Sequence, residues 1–110
     1  MQVKVLNEKV KQLQKTGAPV ICTGDFNAEE NSVVYEEMLK TLSDTKYLAK
    51  QSDTGITYHD YGKYTDESGE TIDFIFTEEN LTVERYRIID ETVSGMFVSD
   101  HYGIAVDLRL

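Results

Sequence analysis

The sequence has only one cysteine and one proline, and it has no tryptophan. A single cysteine excludes an internal disulfide, so oxidation does not hold this fold together. Cys22 lies in an apolar run, where a buried and unreactive thiol is the expected role. The sequence also lacks a long apolar run and a signal-peptide pattern. These absences predict a chain without a membrane anchor and favour a cytoplasmic location.

Basic residues are scarce as well. The 110 residues include 20 acidic and 11 basic side chains, which gives a net charge of −9. Proteins that bind long nucleic acids tightly usually present a basic surface, so the acidic net charge does not indicate a nucleic-acid partner. Nucleic acid nevertheless stays open as a substrate or partner. Acidic clusters are what a divalent-cation site requires. The simpler explanation is that the charge supports solubility.

The hydrophobic pattern predicts one α/β unit over residues 1–110, with two helices early and several strands late. Residues 2–16 carry apolar side chains at helical spacing, which is typical of an amphipathic helix. A second helix is expected from Asn31 or Ser32 to about Leu42. Strands are expected where β-branched and aromatic residues concentrate or alternate, at 19–23, 56–59, 71–76, 81–89 and 103–110. No repeat or linker divides the chain.

The apolar run that follows Pro19 ends in Gly24-Asp25-Phe26-Asn27. Side chains two apart along an extended chain point to the same side, so Asp25 and Asn27 are expected side by side, with Phe26 directed to the core. A carboxylate and an amide on a rigid strand end suit a site for a polarised water and a phosphate oxygen. The alternative is that both are turn or capping residues that satisfy local backbone groups.

Four further titratable residues stand out later in the chain. Asp73 lies among aromatic residues in a predicted strand, where aspartate is unfavourable, so it needs a partner, and His101 is the obvious one. The alternatives are an exposed strand carboxylate at Asp73 and a plain polar turn at Asp100-His101. His59 is expected to be a structural or surface histidine, with contact to the edge of a substrate as its second interpretation.

Taken in order, these stretches resemble the endonuclease/exonuclease/phosphatase superfamily of DNase I-like enzymes, abasic-site endonucleases, inositol polyphosphate 5-phosphatases and neutral sphingomyelinases. Each string alone is a weak signal, but all of them in family order are specific. The resemblance covers nearly the whole chain, but only the C-terminal half of the family's domain. It implies an α/β fold that is half of a DNase I-like four-layer sandwich, with two helices on a mostly antiparallel sheet. The matching strings are Gly24-Asp25-Phe26-Asn27, Ile72-Asp73-Phe74-Ile75-Phe76 and Ser99-Asp100-His101, with Thr57-Tyr58-His59 similar to a stretch in bacterial members.

The resemblance implies a metal-dependent phosphoesterase that hydrolyses a phosphodiester or a phosphomonoester by in-line attack of water, with Mg²⁺ or Mn²⁺ as cofactor. By this resemblance Asp25 would orient or deprotonate the water, and Asn27 would hydrogen-bond to the nucleophile or the phosphate. His101 would contact the phosphate while Asp73 fixes its tautomer. Asp100 would serve the metal directly or through water, with Asp25 and Asn27 also in the metal site. Whether Asp25 or His101 is the general base, and which substrate is cleaved, stay open.

In this family, the missing first half normally supplies an asparagine and a glutamate to the metal and a histidine or tyrosine to the phosphate. Residues 1–18 offer no equivalent. The apolar face of the sheet would pack against the first half in the complete domain. We therefore expect a homodimer or a complementary N-terminal half as partner, beside a phosphate-ester substrate. The alternative function is a catalytically incomplete fragment or remnant that acts as an assembly or binding module.

Overall fold

The computed structural model describes residues 2–110, which form three helices and two three-stranded sheets. The helices are α1 (Val3–Gln14), α2 (Val33–Met38) and α3 (Thr45–Leu48). The strands are β1 (Ile21–Asp25), β2 (Ser43–Asp44), β3 (Gln51–Ser52), β4 (Asp73–Thr77), β5 (Thr82–Ile89) and β6 (Gly103–Arg109). The predicted α/β class is confirmed, with one helix and one sheet more than expected. Within residues 2–110, no helix has the length and apolar character needed to cross a membrane.

Both sheets are mostly antiparallel. In the first sheet, β4 lies between β1 and β2 and is antiparallel to both. In the second sheet, β5 lies between β3 and β6, parallel to β3 and antiparallel to β6. Both β1 and β6 are therefore edge strands, and each has one edge without a partner strand in the part of the chain that the structure describes.

The main core lies between the two longer helices and one face of the β1–β4 sheet. Phe74 and Phe76 of β4 point to this face, where Phe26 also packs, with its ring centroid 5.3 Å from that of Phe76. Val10 of α1 and Met38 of α2 cover these rings. Burying one such side chain contributes about 1.5–3 kcal/mol. Because strand side chains alternate, Asp73 points away from this core, where a polar site can form.

The predicted second helix is shorter than expected. Ser32 is its N-cap, since its Oγ accepts a hydrogen bond from the N–H of Tyr35 at 3.2 Å. The helix ends at Met38 rather than near Leu42, because the N–H groups of Thr41 and Leu42 both turn back onto the Met38 carbonyl. The chain then continues into β2. Leu42 nevertheless remains buried, at 3% exposure.

Two predicted strands also differ. The first runs over Ile21–Asp25 rather than 19–23, because its pairing with β4 continues to the end of the apolar run. Residues 56–59 form no regular strand. Tyr58 makes only isolated bridges, to Glu70 and to His101, so this segment lies between two parts of the chain without extending either sheet.

Candidate active site

Three of the predicted site residues meet at one end of the β1–β4 pair. Asp25 is the last residue of β1, Asp73 is the first of β4, and the two are direct cross-strand partners. His101 lies beside both: its Nδ1 is 2.7 Å from Oδ2 of Asp73, and its Nε2 is 3.8 Å from Oδ2 of Asp25. One ligand atom from each residue lies within 4.8 Å of the others. The fold thus joins three segments that are far apart in the sequence.

The hydrogen bond to Asp73 sets the electrostatics of His101. Because the ionised carboxylate of Asp73 can only accept, Nδ1 donates the hydrogen bond, which leaves Nε2 of the neutral ring free to accept another. Burial by itself would lower the pKa of His101, but the bond to Asp73 and the charges of Asp73, Asp25 and Asp100 outweigh burial and raise that pKa above its ordinary value. The Asp73 side chain is only 17% exposed, against 49% for Asp25. Asp73 is therefore the sheltered partner and Asp25 the accessible one.

Asp100, like Asp25, lies near Nε2 of the His101 imidazole. Its Oδ1 lies 4.0 Å from Nε2 of His101. Its backbone carbonyl accepts hydrogen bonds from the N–H groups of His59 and Asp60, at 3.0 and 3.1 Å, which fixes the segment that carries His101. Asp100, which the sequence predicts to serve a metal, therefore lies next to the other predicted site residues.

Asn27 is adjacent to the site for a reason that differs from the prediction. The alternation of an extended chain ends at Asp25, and Asn27 has a φ of 48°, in the left-handed region that asparagine tolerates. Its backbone N–H donates to Oδ1 of Asp25 at 2.8 Å, which closes a turn around the carboxylate. The turn role and the site role thus coexist, because this bond uses one oxygen of Asp25 and leaves Oδ2 toward His101.

His59 lies inside the fold. It is 1% exposed, its ring stacks on Tyr102 at a centroid distance of 4.0 Å, and Nδ1 accepts a hydrogen bond from Gly62 N–H at 2.9 Å. Its Nε2 has no hydrogen-bond partner among residues 2–110. This position is that of a structural histidine, and a contact with substrate stays a prediction.

Two residues beside the site carry no functional assignment in the sequence analysis. The Tyr58 ring lies 5.1 Å from the His101 ring, centroid to centroid. Thr57 is completely buried, and its hydroxyl accepts the N–H group of Asp73. The sequence marks both only as part of the Thr57-Tyr58-His59 string. Their contacts depend on segments more than a dozen residues away, so no local pattern signals them.

The accessible side chains fit a hard divalent cation. Mg²⁺ and Mn²⁺ prefer carboxylate and carbonyl oxygens. Since Oδ2 of Asp73 is engaged by His101, the carboxylates left for a cation are those of Asp25 and Asp100, on the Nε2 side of the ring. The arrangement can therefore offer a proton acceptor, a hydrogen-bonding imidazole and accessible carboxylate oxygens for a cation.

Comparison with known proteins gives the relationships of the chain. The model of the Endonuclease/Exonuclease/phosphatase family matches residues 2–101. A solved endonuclease/exonuclease/phosphatase from Bacteroides vulgatus is 28% identical with a TM-score of 0.86, and the match covers 98% of this chain and 42% of that one. A family protein from Leptotrichia buccalis is 30% identical with a TM-score of 0.70, covering 92% of this chain and 40% of that one. None of the curated proteins matches.

A mannosyl-6-phosphatase from Bacteroides thetaiotaomicron shares the fold at 24% identity, with a TM-score of 0.85 over 98% of this chain and 44% of that one. The chain thus spans less than half the length of each of these solved structures. The predicted partial DNase I-like domain is confirmed. Because the family match extends over all the motif strings, up to His101, the chain belongs to the endonuclease/exonuclease/phosphatase family.

Proposed function

We propose that this chain is the C-terminal catalytic half of a metal-dependent phosphoesterase. The observation that carries the proposal is the convergence of Asp25, Asp73 and His101 on one point, with their ligand atoms within 4.8 Å of one another. A carboxylate–imidazole pair next to a second, accessible carboxylate is suited to moving a proton from water beside a phosphate group. The substrate class is a phosphate ester, and both diesters and monoesters fit this chemistry.

The chain's own residues would act as follows. Asp73 holds the Nδ1 proton of His101, so Nε2 is directed toward Asp25 and the reacting group. A water beside Asp25 and His101 loses a proton to one of these two side chains. The water oxygen bonds to phosphorus, and the opposite P–O bond breaks, with its electron pair leaving on the alcohol oxygen, which then takes up a proton. A divalent cation at Asp25 and Asp100, with Asn27 nearby, would supply neutralisation of the charge on the phosphoryl oxygens.

Assembly with a second unit is part of this proposal. The strands that lead into the site, β1 at Asp25 and β6 just after His101, are both edge strands with unpaired backbone groups. Such edges pair readily with another strand. The proposed partner is a complementary N-terminal half, or a second copy of this chain that stands in for it. This chain matches only 40–44% of the length of the solved relatives, which also supports assembly with a second unit.

The same coverage favours a second candidate function. If residues in the part of the relatives that this chain does not match are required for the cation, this chain is a catalytically incomplete module that assembles or binds without turning over substrate. It would then keep the geometry of Asp73 and His101 but not the activity. The two candidates differ in turnover and not in fold.

The test is hydrolysis of bis-p-nitrophenyl phosphate and p-nitrophenyl phosphate with Mg²⁺ or Mn²⁺, with mannose 6-phosphate added because one neighbour is a mannosyl-6-phosphatase. Wild type is compared with Asp25→Ala and His101→Ala, and with Asp107→Ala, whose side chain is exposed on β6 and bonded to Arg87, as the matched control. Metal-dependent activity that both site variants lose and the control keeps supports the enzyme. A folded wild type no more active than the site variants supports the binding module.

A further inference from the structure

Thr57 connects the two segments that form the Asp73–His101 pair. It is 0% exposed. Its Oγ1 accepts hydrogen bonds from the N–H groups of Ile72 and Asp73, at 3.0 and 3.2 Å, just where β4 begins. Its backbone carbonyl accepts the N–H of Tyr102, next to His101, at 2.7 Å. Thr57 is thus hydrogen-bonded both to Asp73 and to the residue next to His101, the two side chains that form the 2.7 Å contact being those of Asp73 and His101.

The same junction is also tied to β1. The carbonyl of Ile72 accepts the N–H of Phe26 at 2.9 Å, which lies directly after Asp25. Ile72 is therefore bonded on one side to the Asp25 segment and on the other to Thr57. Since the His101 segment is bonded to Thr57 as well, the relative position of all three catalytic candidates depends on this buried threonine.

We infer that Thr57 is a positioning residue, whose hydroxyl sets the geometry in which Asp73 meets His101. Its effect on turnover rests on the proposed function, but its effect on the Asp73–His101 hydrogen bond does not. The competing explanation is that Thr57 merely stabilises the fold, as buried threonines often do. Thr77 offers the comparison, because it is equally buried, lies at the opposite end of β4, and donates from Oγ1 to the Val20 carbonyl at 3.1 Å.

The experiment follows the tautomer of His101 directly. Imidazole ¹⁵N shifts from long-range ¹H–¹⁵N correlation spectra, recorded at alkaline pH with EDTA, distinguish the Nδ1–H form from a mixture of tautomers. Thr57→Val removes the acceptor and keeps the shape, Thr57→Ser keeps the hydroxyl, and Thr77→Val is the control. If Thr57→Val does not fold, Thr57→Cys replaces it, since a thiol is a much weaker acceptor of similar size.

We expect wild type, Thr57→Ser and Thr77→Val to show the fixed Nδ1–H tautomer, and Thr57→Val or Thr57→Cys to lose it while the amide spectrum stays native. A fixed tautomer in Thr57→Val or Thr57→Cys would overturn the inference, as would an equal loss in Thr77→Val, because the effect would then be one of general stability.

Turnover provides the second readout. In an assembly that hydrolyses a phosphate ester, Thr57→Val should lower kcat by about 10- to 100-fold with little change in KM, since a small displacement of catalytic groups has an effect of this size. Thr57→Ser should restore it. An unchanged kcat in Thr57→Val, with Asp73→Asn strongly impaired, overturns the inference and leaves the proposed function standing. Absence of turnover in every protein refutes the proposed function alone, because the tautomer measurement still decides the role of Thr57.

Discussion

Asp25 and Asp73 lie directly opposite each other, as the last register pair between β1 and β4. Two like charges in such a position destabilise a sheet. His101 is beside both carboxylates, 2.7 Å from Asp73 and 3.8 Å from Asp25. A positive charge near this point, which a protonated His101 or a bound cation can provide, would offset this repulsion.

The first prediction concerns pH. The pKa of His101 is raised in the folded chain, since the bond to Asp73 and the nearby carboxylates outweigh burial. A raised histidine pKa contributes stability that is fully present below the unfolded value of about 6.5 and is lost as the pH rises through the higher folded value. The free energy of unfolding of wild type should therefore exceed that of His101→Gln by more at about pH 6 than at about pH 9. Urea unfolding in EDTA measures this difference.

The Asp73→Asn background supplies the control for the pH effect. The pH-dependent part of the His101→Gln difference should shrink there, because the main partner of the protonated ring is gone. A His101→Gln difference that is the same at both pH values, or that keeps its full pH dependence in Asp73→Asn, contradicts the assignment of the charge to this pair.

The second prediction concerns the cation. Mn²⁺ is paramagnetic, so its binding at Asp25 and Asp100 should broaden the amide signals around Asp25, Asp73 and His101 before those of the rest of the chain. Asp25→Asn and Asp100→Asn should each raise the Mn²⁺ concentration needed for this broadening by at least about tenfold. EDTA should reverse it.

A matched variant separates a site from general attraction to an acidic protein. Asp66→Asn removes one charge from a separate cleft that also contains Glu29 and Glu30, and that is not lined by Asp25, Asp73, Asp100 or His101. It should leave the Mn²⁺ effect unchanged. If Asp66→Asn weakens Mn²⁺ binding as much as Asp25→Asn does, the cation follows net charge rather than the site.

The third prediction concerns Asp73 in catalysis. Asp73→Asn keeps the shape of the side chain but no longer holds the Nδ1–H tautomer of His101. In an active assembly kcat should fall by about 10²- to 10⁴-fold, as when the carboxylate behind a catalytic histidine is lost. Asp107→Asn, which removes an exposed carboxylate bonded to Arg87, should leave kcat unchanged. Steady-state kinetics on the best substrate of the phosphate-ester panel test this, and an Asp73→Asn enzyme with wild-type kcat contradicts the role.

Much of the fold could be predicted from the sequence because its longer elements carry a clear period. α1 follows the helical spacing of its apolar residues, and β4, β5 and β6 follow runs of β-branched and aromatic residues. The elements that were missed, β2, α3 and β3, have two to four residues each. That is too short for a period to appear, and they form through tertiary contacts such as the Thr45 hydroxyl donating to the Ile75 carbonyl.

The proximity of the candidate site residues was predictable, but their local geometry was less so. The motif strings identify Asp25, Asp73 and His101, and the fold does bring them together. The turn at Asn27 and the junction at Thr57 were not predictable, because both depend on hydrogen bonds that exist only once the strands are paired. The burial of His59 likewise results from stacking on Tyr102, which lies more than forty residues further along the chain.

The last prediction concerns the face of the edge strand β1 that points away from the helix-covered core. Cys22 packs against the helix-covered core, so Ile21 points to the opposite face, where it is 45% exposed on the edge strand β1. If a partner covers this face, Ile21→Lys should remove about 0.7–1.4 kcal/mol of apolar burial, since only the 45% of the side chain that is still exposed can be covered, and this is about three- to tenfold in the dissociation constant. Val33→Lys, at an 86% exposed position at the start of α2, should have no such effect.

Light scattering at micromolar concentration separates the two proposed partners. A wild-type dimer that Ile21→Lys dissociates and Val33→Lys leaves intact supports self-association through this face. A wild-type monomer refutes the homodimer, and the complementary half is then tested with the separately expressed N-terminal half of the Bacteroides vulgatus relative. Binding that Ile21→Lys weakens supports the two-half assembly. A wild type that neither self-associates nor binds this half contradicts association through this face. The unpaired edge of β1 and the exposed Ile21 would then be stable in water without a partner.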